Sequence, residues 1–143
     1  MSRMIFVNLP VSDLARSVAF YEAVGATKNP AFSDDTAACM VVSDTIFVML
    51  LTHPKFASFT ARTIADRSTV QAMLCLSCDS KAAVMDQLAA ATAAGGTPDP
   101  TPEQDYDGFM YGRSYEDPDG HIWEIMWMDP AAARQGAAAH ETA

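Results

Sequence analysis

Glu124 sits in the run Ile122-Trp123-Glu124-Ile125-Met126-Trp127, a single carboxylate among large apolar side chains. Such a carboxylate is costly unless a metal, a cation or a ligand answers it. If ionised, it can ligate a metal, act as a general base or hold a hydrogen-bonding ligand. The preceding Glu116-Asp117-Pro118-Asp119-Gly120-His121 reads as a tight turn between two strands. Pro118 pre-sets one backbone angle and Gly120 takes a conformation that a side chain disfavours. Past the turn, His121, Trp123, Ile125 and Trp127 point one way, and Ile122, Glu124, Met126 and Met128 the other. Both faces are largely apolar, so both should be covered.

The structural alternative for Glu124 is an ion pair. With a four-residue turn, 116 pairs with 121 and 113 with 124, which puts Arg113 opposite Glu124 on one face. A bidentate Arg113–Glu124 pair is favoured over a Glu124 that contacts a ligand, and both over a Glu124 that binds a metal. Tyr111 and Tyr115 fit either core packing with a wet hydroxyl or substrate contact. The three histidines do not join Glu124: His53 follows a strand, His121 has the opposite parity and His140 is near the end of the chain. Cys39, Cys75 and Cys78 lie in apolar, strand-like runs and read as buried free thiols in a reducing compartment. Cys75 and Cys78 are three apart on a strand and face opposite ways, which disfavours a redox or metal pair.

The elements that must position these residues fall into two similar series. Residues 4–9 read as a strand that Pro10 ends. Ser12 is placed to cap a helix carrying Leu14, Val18 and Tyr21 at helical spacing, and Gly25 stops it. A weak strand from Thr27 to Phe32 follows, then strong strands at 38–42 and 45–52. The order restarts with a strand over 72–78, a helix capped by Asp79 or Ser80 and stopped at Gly95-Gly96, a Pro-rich stretch over 97–108, and strands at 109–116 and 121–128. Each half is strand–helix–strand–strand–strand, a repeat of element order rather than of residues. The modules span about 3–53 and 71–129, the linker about 54–70 has no assigned role, and residues 131–143 read as a frayed tail after one domain over 1–130.

Composition limits the partners. Net charge is −9 and the few Lys and Arg are scattered, so a nucleic-acid surface is excluded. No apolar run is long enough to span a bilayer, and the opening residues lack a signal-peptide layout, so a cytoplasmic protein with no membrane partner is expected.

Val11-Ser12-Asp13-Leu14-Ala15-Arg16-Ser17 with Phe20-Tyr21 resembles the opening signature of the glyoxalase / bleomycin-resistance / extradiol-dioxygenase (vicinal oxygen chelate) superfamily. Asp117-Pro118-Asp119-Gly120 followed by Glu124 resembles its closing signature, and the resemblance covers residues 4 to about 128. Within the superfamily the chain looks most similar to the branch named predicted lactoylglutathione lyase. The resemblance implies an α+β fold in which two βαβββ modules form a curved, trough-like mixed sheet of eight strands, with helices outside and a small molecule in the trough. It also implies a homodimer.

Metal-dependent members carry four ligands. Carried over one at a time, those positions fall on Phe6, Leu50, Met73 and Glu124. Phe and Leu cannot ligate a metal, and a thioether is a soft ligand for the hard cations of this chemistry. No cofactor is therefore expected, a divalent metal being the less favoured alternative. The residues expected to contact a small-molecule ligand are Phe6, Asn8, Leu50, Met73, Cys75, Tyr111, Arg113 and Glu124, with Ile46 and Val48 on the same trough wall by parity. The favoured function is a binding module without the usual metal site, for a small apolar or thioether- or carbonyl-bearing molecule. The alternative is a lyase or isomerase of the lactoylglutathione lyase type, acting on a hemithioacetal-like substrate with Glu124 as base.

Overall fold

A computed structural model describes residues 3–131. The chain runs β1 (Ile5–Val11), α1 (Leu14–Ala23), β2 (Thr27–Asn29), β3 (Ala37–Val41), β4 (Ile46–Thr52), α2 (His53–Ala57), β5 (Met73–Ser77), α3 (Lys81–Ala93), β6 (Thr97–Pro98), β7 (Gln104–Tyr106), β8 (Met110–Glu116) and β9 (Ile122–Met128). The α+β class and the doubled module order are those read from the sequence. In place of one eight-stranded sheet there are two mixed sheets, of four and five strands, ordered β1-β4-β3-β2 and β5-β9-β8-β6, with β7 also pairing with β8. The ninth strand comes from the Pro-rich stretch. The expected tail lies outside the described residues except for Ala131.

Both long helices end in the same way. Gly25 and Gly95 have φ near +100°, and the residue after each, Ala26 or Gly96, donates its N–H to the carbonyl five residues back. A side chain at that left-handed position would be strained, so glycine closes both. Asp13, rather than Ser12, caps α1 by accepting the Arg16 N–H at 3.1 Å. Ser80 caps α3. Pro10 does not end β1: the strand continues to Val11. β1 is an edge strand, where a residue without an N–H is tolerated.

One hydrophobic cluster joins the two modules. It unites Leu9, Val48 and Leu50 of the first sheet, Phe20 and Tyr21 of α1, Val84 and Leu88 of α3, and Tyr115, Trp123 and Ile125 of the second sheet. The Phe20 ring meets Tyr115 edge-on at 5.8 Å, and Tyr21 meets Trp123 at 6.1 Å. The helix-bearing faces of the sheets therefore make the main core, and the opposite faces are only partly covered. The linker is tied down by Arg67, whose Nη2 donates to Glu116 Oε2 at 2.9 Å and whose Nη1 donates to the Pro118 carbonyl at 3.1 Å.

Candidate functional site

The turn before β9 is one residue longer than the sequence suggests. Glu116 pairs with Ile122, Ser114 with Glu124, and Arg113 with Ile125. The Asp117 side chain explains the length: its Oδ1 accepts the backbone N–H of Asp119 and of His121, at 2.9 and 2.8 Å, so it wraps the loop around itself. Gly120, at φ +91°, completes the loop against the Arg67 side chain. The shift in register breaks the expected Arg113–Glu124 pair. Arg113 stands on the helix face and forks onto Asp99, Nε to Oδ1 at 2.8 Å and Nη2 to Oδ2 at 2.7 Å. That fork holds the Asp99 carboxyl below its ordinary range.

Glu124 is left half-buried on the open face, with no ion-pair or hydrogen-bond partner among the described residues. Its sheet neighbours are Cys75 on β5 and Ser114 on β8. Glu124 and Cys75 line a cavity of about 200 Å³ closed by Thr101, Pro102, Gln104 and Met126. Partial desolvation of its sulfur, and then the charge of Glu124, push the Cys75 thiol up, so it stays protonated at neutral pH.

The other expected site residues divide. Phe6, Asn8, Met73 and Cys75 are exposed on strands at the inner edges of the sheets. Phe6 stacks on Phe47 at 4.7 Å, which marks Phe47 and Met49 as the β4 residues on that face. Leu50 belongs to the opposite face. It pairs with Leu9, is fully buried and lies in the core, with Val48 beside it. Tyr111 is likewise a core residue, its hydroxyl accepting from Arg113 Nη1 at 3.1 Å. Leu50 and Tyr111, together with Ile46 and Val48, therefore lie on the core side of the sheets, whereas Arg113 turns its guanidinium to Asp99 but still lines the Glu124 cavity. Donors for a divalent ion do not assemble: Phe6 and Met73 stand where ligands would be needed, β4 offers only Phe47 or Met49, and among the described residues no three His, Cys, Asp or Glu cluster.

A buried polar network that residue spacing does not reveal joins the two halves. Trp123 Nε1–H donates to the Tyr21 hydroxyl at 2.9 Å, and that hydroxyl donates to Asp117 Oδ2 at 2.7 Å. Asp119 extends it, accepting from Ser12 N and Ser12 Oγ at 2.9 and 2.7 Å. His121 Nε2 lies 2.7 Å from the Pro10 carbonyl, so that nitrogen carries the proton and the ring is structural. The two signature segments thus bond to each other. A tyrosine on the buried side of a helix was the signal available, because a buried hydroxyl needs a partner. A cavity of about 610 Å³ lies between the modules, and Glu124 does not line it.

With this geometry, the comparisons fall into place. Residues 3–125 match the family described as Glyoxalase/Bleomycin resistance protein/Dioxygenase superfamily, and the chain belongs to it. No curated protein matches the chain. Among solved structures, a hypothetical protein from S. aureus is 23% identical, with a TM-score of 0.73 over 89% of this chain and 95% of that one. A glyoxalase/bleomycin resistance protein/dioxygenase family enzyme from Burkholderia phytofirmans PsJN is 19% identical, at 0.73 over 90% and 100%. The fosfomycin resistance protein FosX from Listeria monocytogenes is 15% identical, at 0.66 over 90% and 93%. At these identities the likeness is one of fold. The family match carries the superfamily and not the lactoylglutathione lyase branch.

Proposed function

We propose that the chain binds a small organic molecule on its open face at Glu124, without a metal. The observation that carries this reading is Glu124 itself, a half-buried carboxylate with no ion-pair or hydrogen-bond partner among the described residues, in a cavity it shares with Cys75, Thr101, Pro102, Gln104 and Met126, while Arg113, which also lines it, commits its guanidinium to Asp99. A carboxylate so placed selects a ligand that presents an N–H or O–H donor, or a positive charge, on a mainly apolar body. Phe6, Asn8 and Met73 extend the contact surface. The second reading is a lyase or isomerase in which the same free carboxylate takes a proton from a carbonyl-bearing substrate. Reduced thiols support a cytoplasmic setting, and the apolar edges at Met4, Ile5, Phe6 and Met73 support a homodimer.

Titration with zinc, nickel, manganese and iron(II) separates these readings from a metal enzyme. No change in melting temperature is expected. A metal at a hundredfold excess over its Kd would add roughly 2.7 kcal/mol, which is easily read. A clear shift abolished by Glu124→Gln overturns the metal-free reading. Sedimentation velocity at micromolar concentration is expected to show a dimer, and a monomer there removes that part of the proposal.

A further inference from the structure

The cavity between the modules is a second site, and its walls specify a different ligand. Its floor is Val48, Tyr115 and Trp123, all buried, and its sides are Val24, Ile46 and Leu76. The rim carries small residues, Gly25, Ser43 and Ser77. Interiors rarely leave voids of more than a water or so, yet here two modules that share a core part to leave about 610 Å³, a volume typical of small-molecule sites. The Tyr21–Asp117 clamp fixes one side of the gap, because Tyr21 and Trp123 line it and are bonded to each other.

The chemistry of the walls is specific. Among the described residues, no Asp, Glu, Lys, Arg or His lines the cavity. The Tyr115 hydroxyl, pushed up to about 12 by burial, stays neutral. One polar spot stands out. Gln87 and Tyr115 bond to each other at 3.2 Å, and Gln87 lies 3.8 Å from Cys78 Sγ. Whichever way the amide faces, that pair leaves an N–H or O–H with no oxygen acceptor among the described residues. We infer that the inter-module cavity binds an uncharged, ring-sized apolar molecule bearing a hydrogen-bond acceptor such as a carbonyl, directed at Gln87 and Tyr115. This site adjoins the one at Glu124, sharing Cys75 and Met126 as walls, but Glu124 itself lines only the other, so a Glu124 substitution tests the two separately.

Three probes of similar size test it by calorimetric titration: acetonaphthone, ethylnaphthalene and naphthoate. The ketone is expected to bind saturably and about fivefold more tightly than the hydrocarbon, the worth of one net hydrogen bond. Naphthoate is expected to bind more weakly than either, against an uncharged cavity in a chain of net charge −9. Ile46→Trp, which fills the gap from β4, should reduce ketone affinity at least tenfold. The double variant Gln87→Leu, Tyr115→Phe should erase the preference of ketone over hydrocarbon, and it keeps the test alive if Ile46→Trp does not fold. Glu124→Gln should leave ketone affinity unchanged. Absence of saturable ketone binding, loss of it in Glu124→Gln, or a ketone preference that survives the double variant each overturns the proposal.

Discussion

At the scale of single residues, Asp117 shapes the turn between β8 and β9, and Glu124 is the proposed ligand contact. Asp117 is fully buried, and desolvation pushes its carboxyl up, only partly offset by His121 and by the hydrogen bonds it accepts. A raised folded-state value means that the native protein holds this proton more tightly than the unfolded chain. The stabilising contribution is therefore complete below the ordinary Asp value and is lost as pH rises through the folded one. Denaturant unfolding of wild type and Asp117→Asn across acidic to neutral pH is expected to show wild type gaining relative to the variant as pH falls. A gap that stays constant with pH means that Asp117 titrates normally. Tyr21→Phe strips a partner from both Trp123 and Asp117 and is expected to cost about 1–3 kcal/mol. Arg113 and Asp99 should show a coupling of about 0.5–1 kcal/mol in a double-mutant cycle, modest because Asp99 is 38% exposed. Arg113 and Glu124 should show none, since the register places them on opposite faces.

At the scale of elements, alternation was legible where a strand carried unlike faces and illegible where it did not. In β9 the sequence separates Trp123 and Ile125 from Glu124, and the structure buries the first two and leaves the third half-open. In β4 the run Ile46-Phe47-Val48-Met49-Leu50-Leu51 is apolar on both faces, so composition cannot say which set faces the helices. The motif position points to Leu50 as the open-face residue there, one residue out of step with Phe47 and Met49, which take that face. The β8–β9 register was hidden for another reason: loop length depends on where the Asp117 side chain finds its N–H partners, and no pattern of apolar residues records that. The cavity near Gln87 was equally invisible, because it arises from how two modules meet. The β4 assignment has a direct test. Leu50→Ala is expected to cost about 2–5 kcal/mol, as a fully buried core truncation does. Met73→Ala, at a side chain 54% exposed, should lie within about 0.5 kcal/mol of wild type. Comparable losses at the two positions would place Leu50 on the open face after all.

At the scale of the whole molecule, the shared core predicts that the modules do not unfold separately. Calorimetry should give a single transition with matching calorimetric and van't Hoff enthalpies, and two resolved transitions would show the inter-module cluster to be weak. The bonds that join Tyr21 to Asp117 and to Trp123 span 96 and 102 residues. During synthesis, then, α1 can pack on β3 and β4 of its own module early, but the part of its apolar side that meets the second module has no lasting cover until nearly the whole chain has left the ribosome. Phe20 and Tyr21 wait for Tyr115 and Trp123, the last large aromatic side chains but one to emerge. The nascent first module is an incomplete body for most of its translation, and a stop anywhere before β9 releases a fragment with an open apolar face, fit for a chaperone or a protease rather than for work.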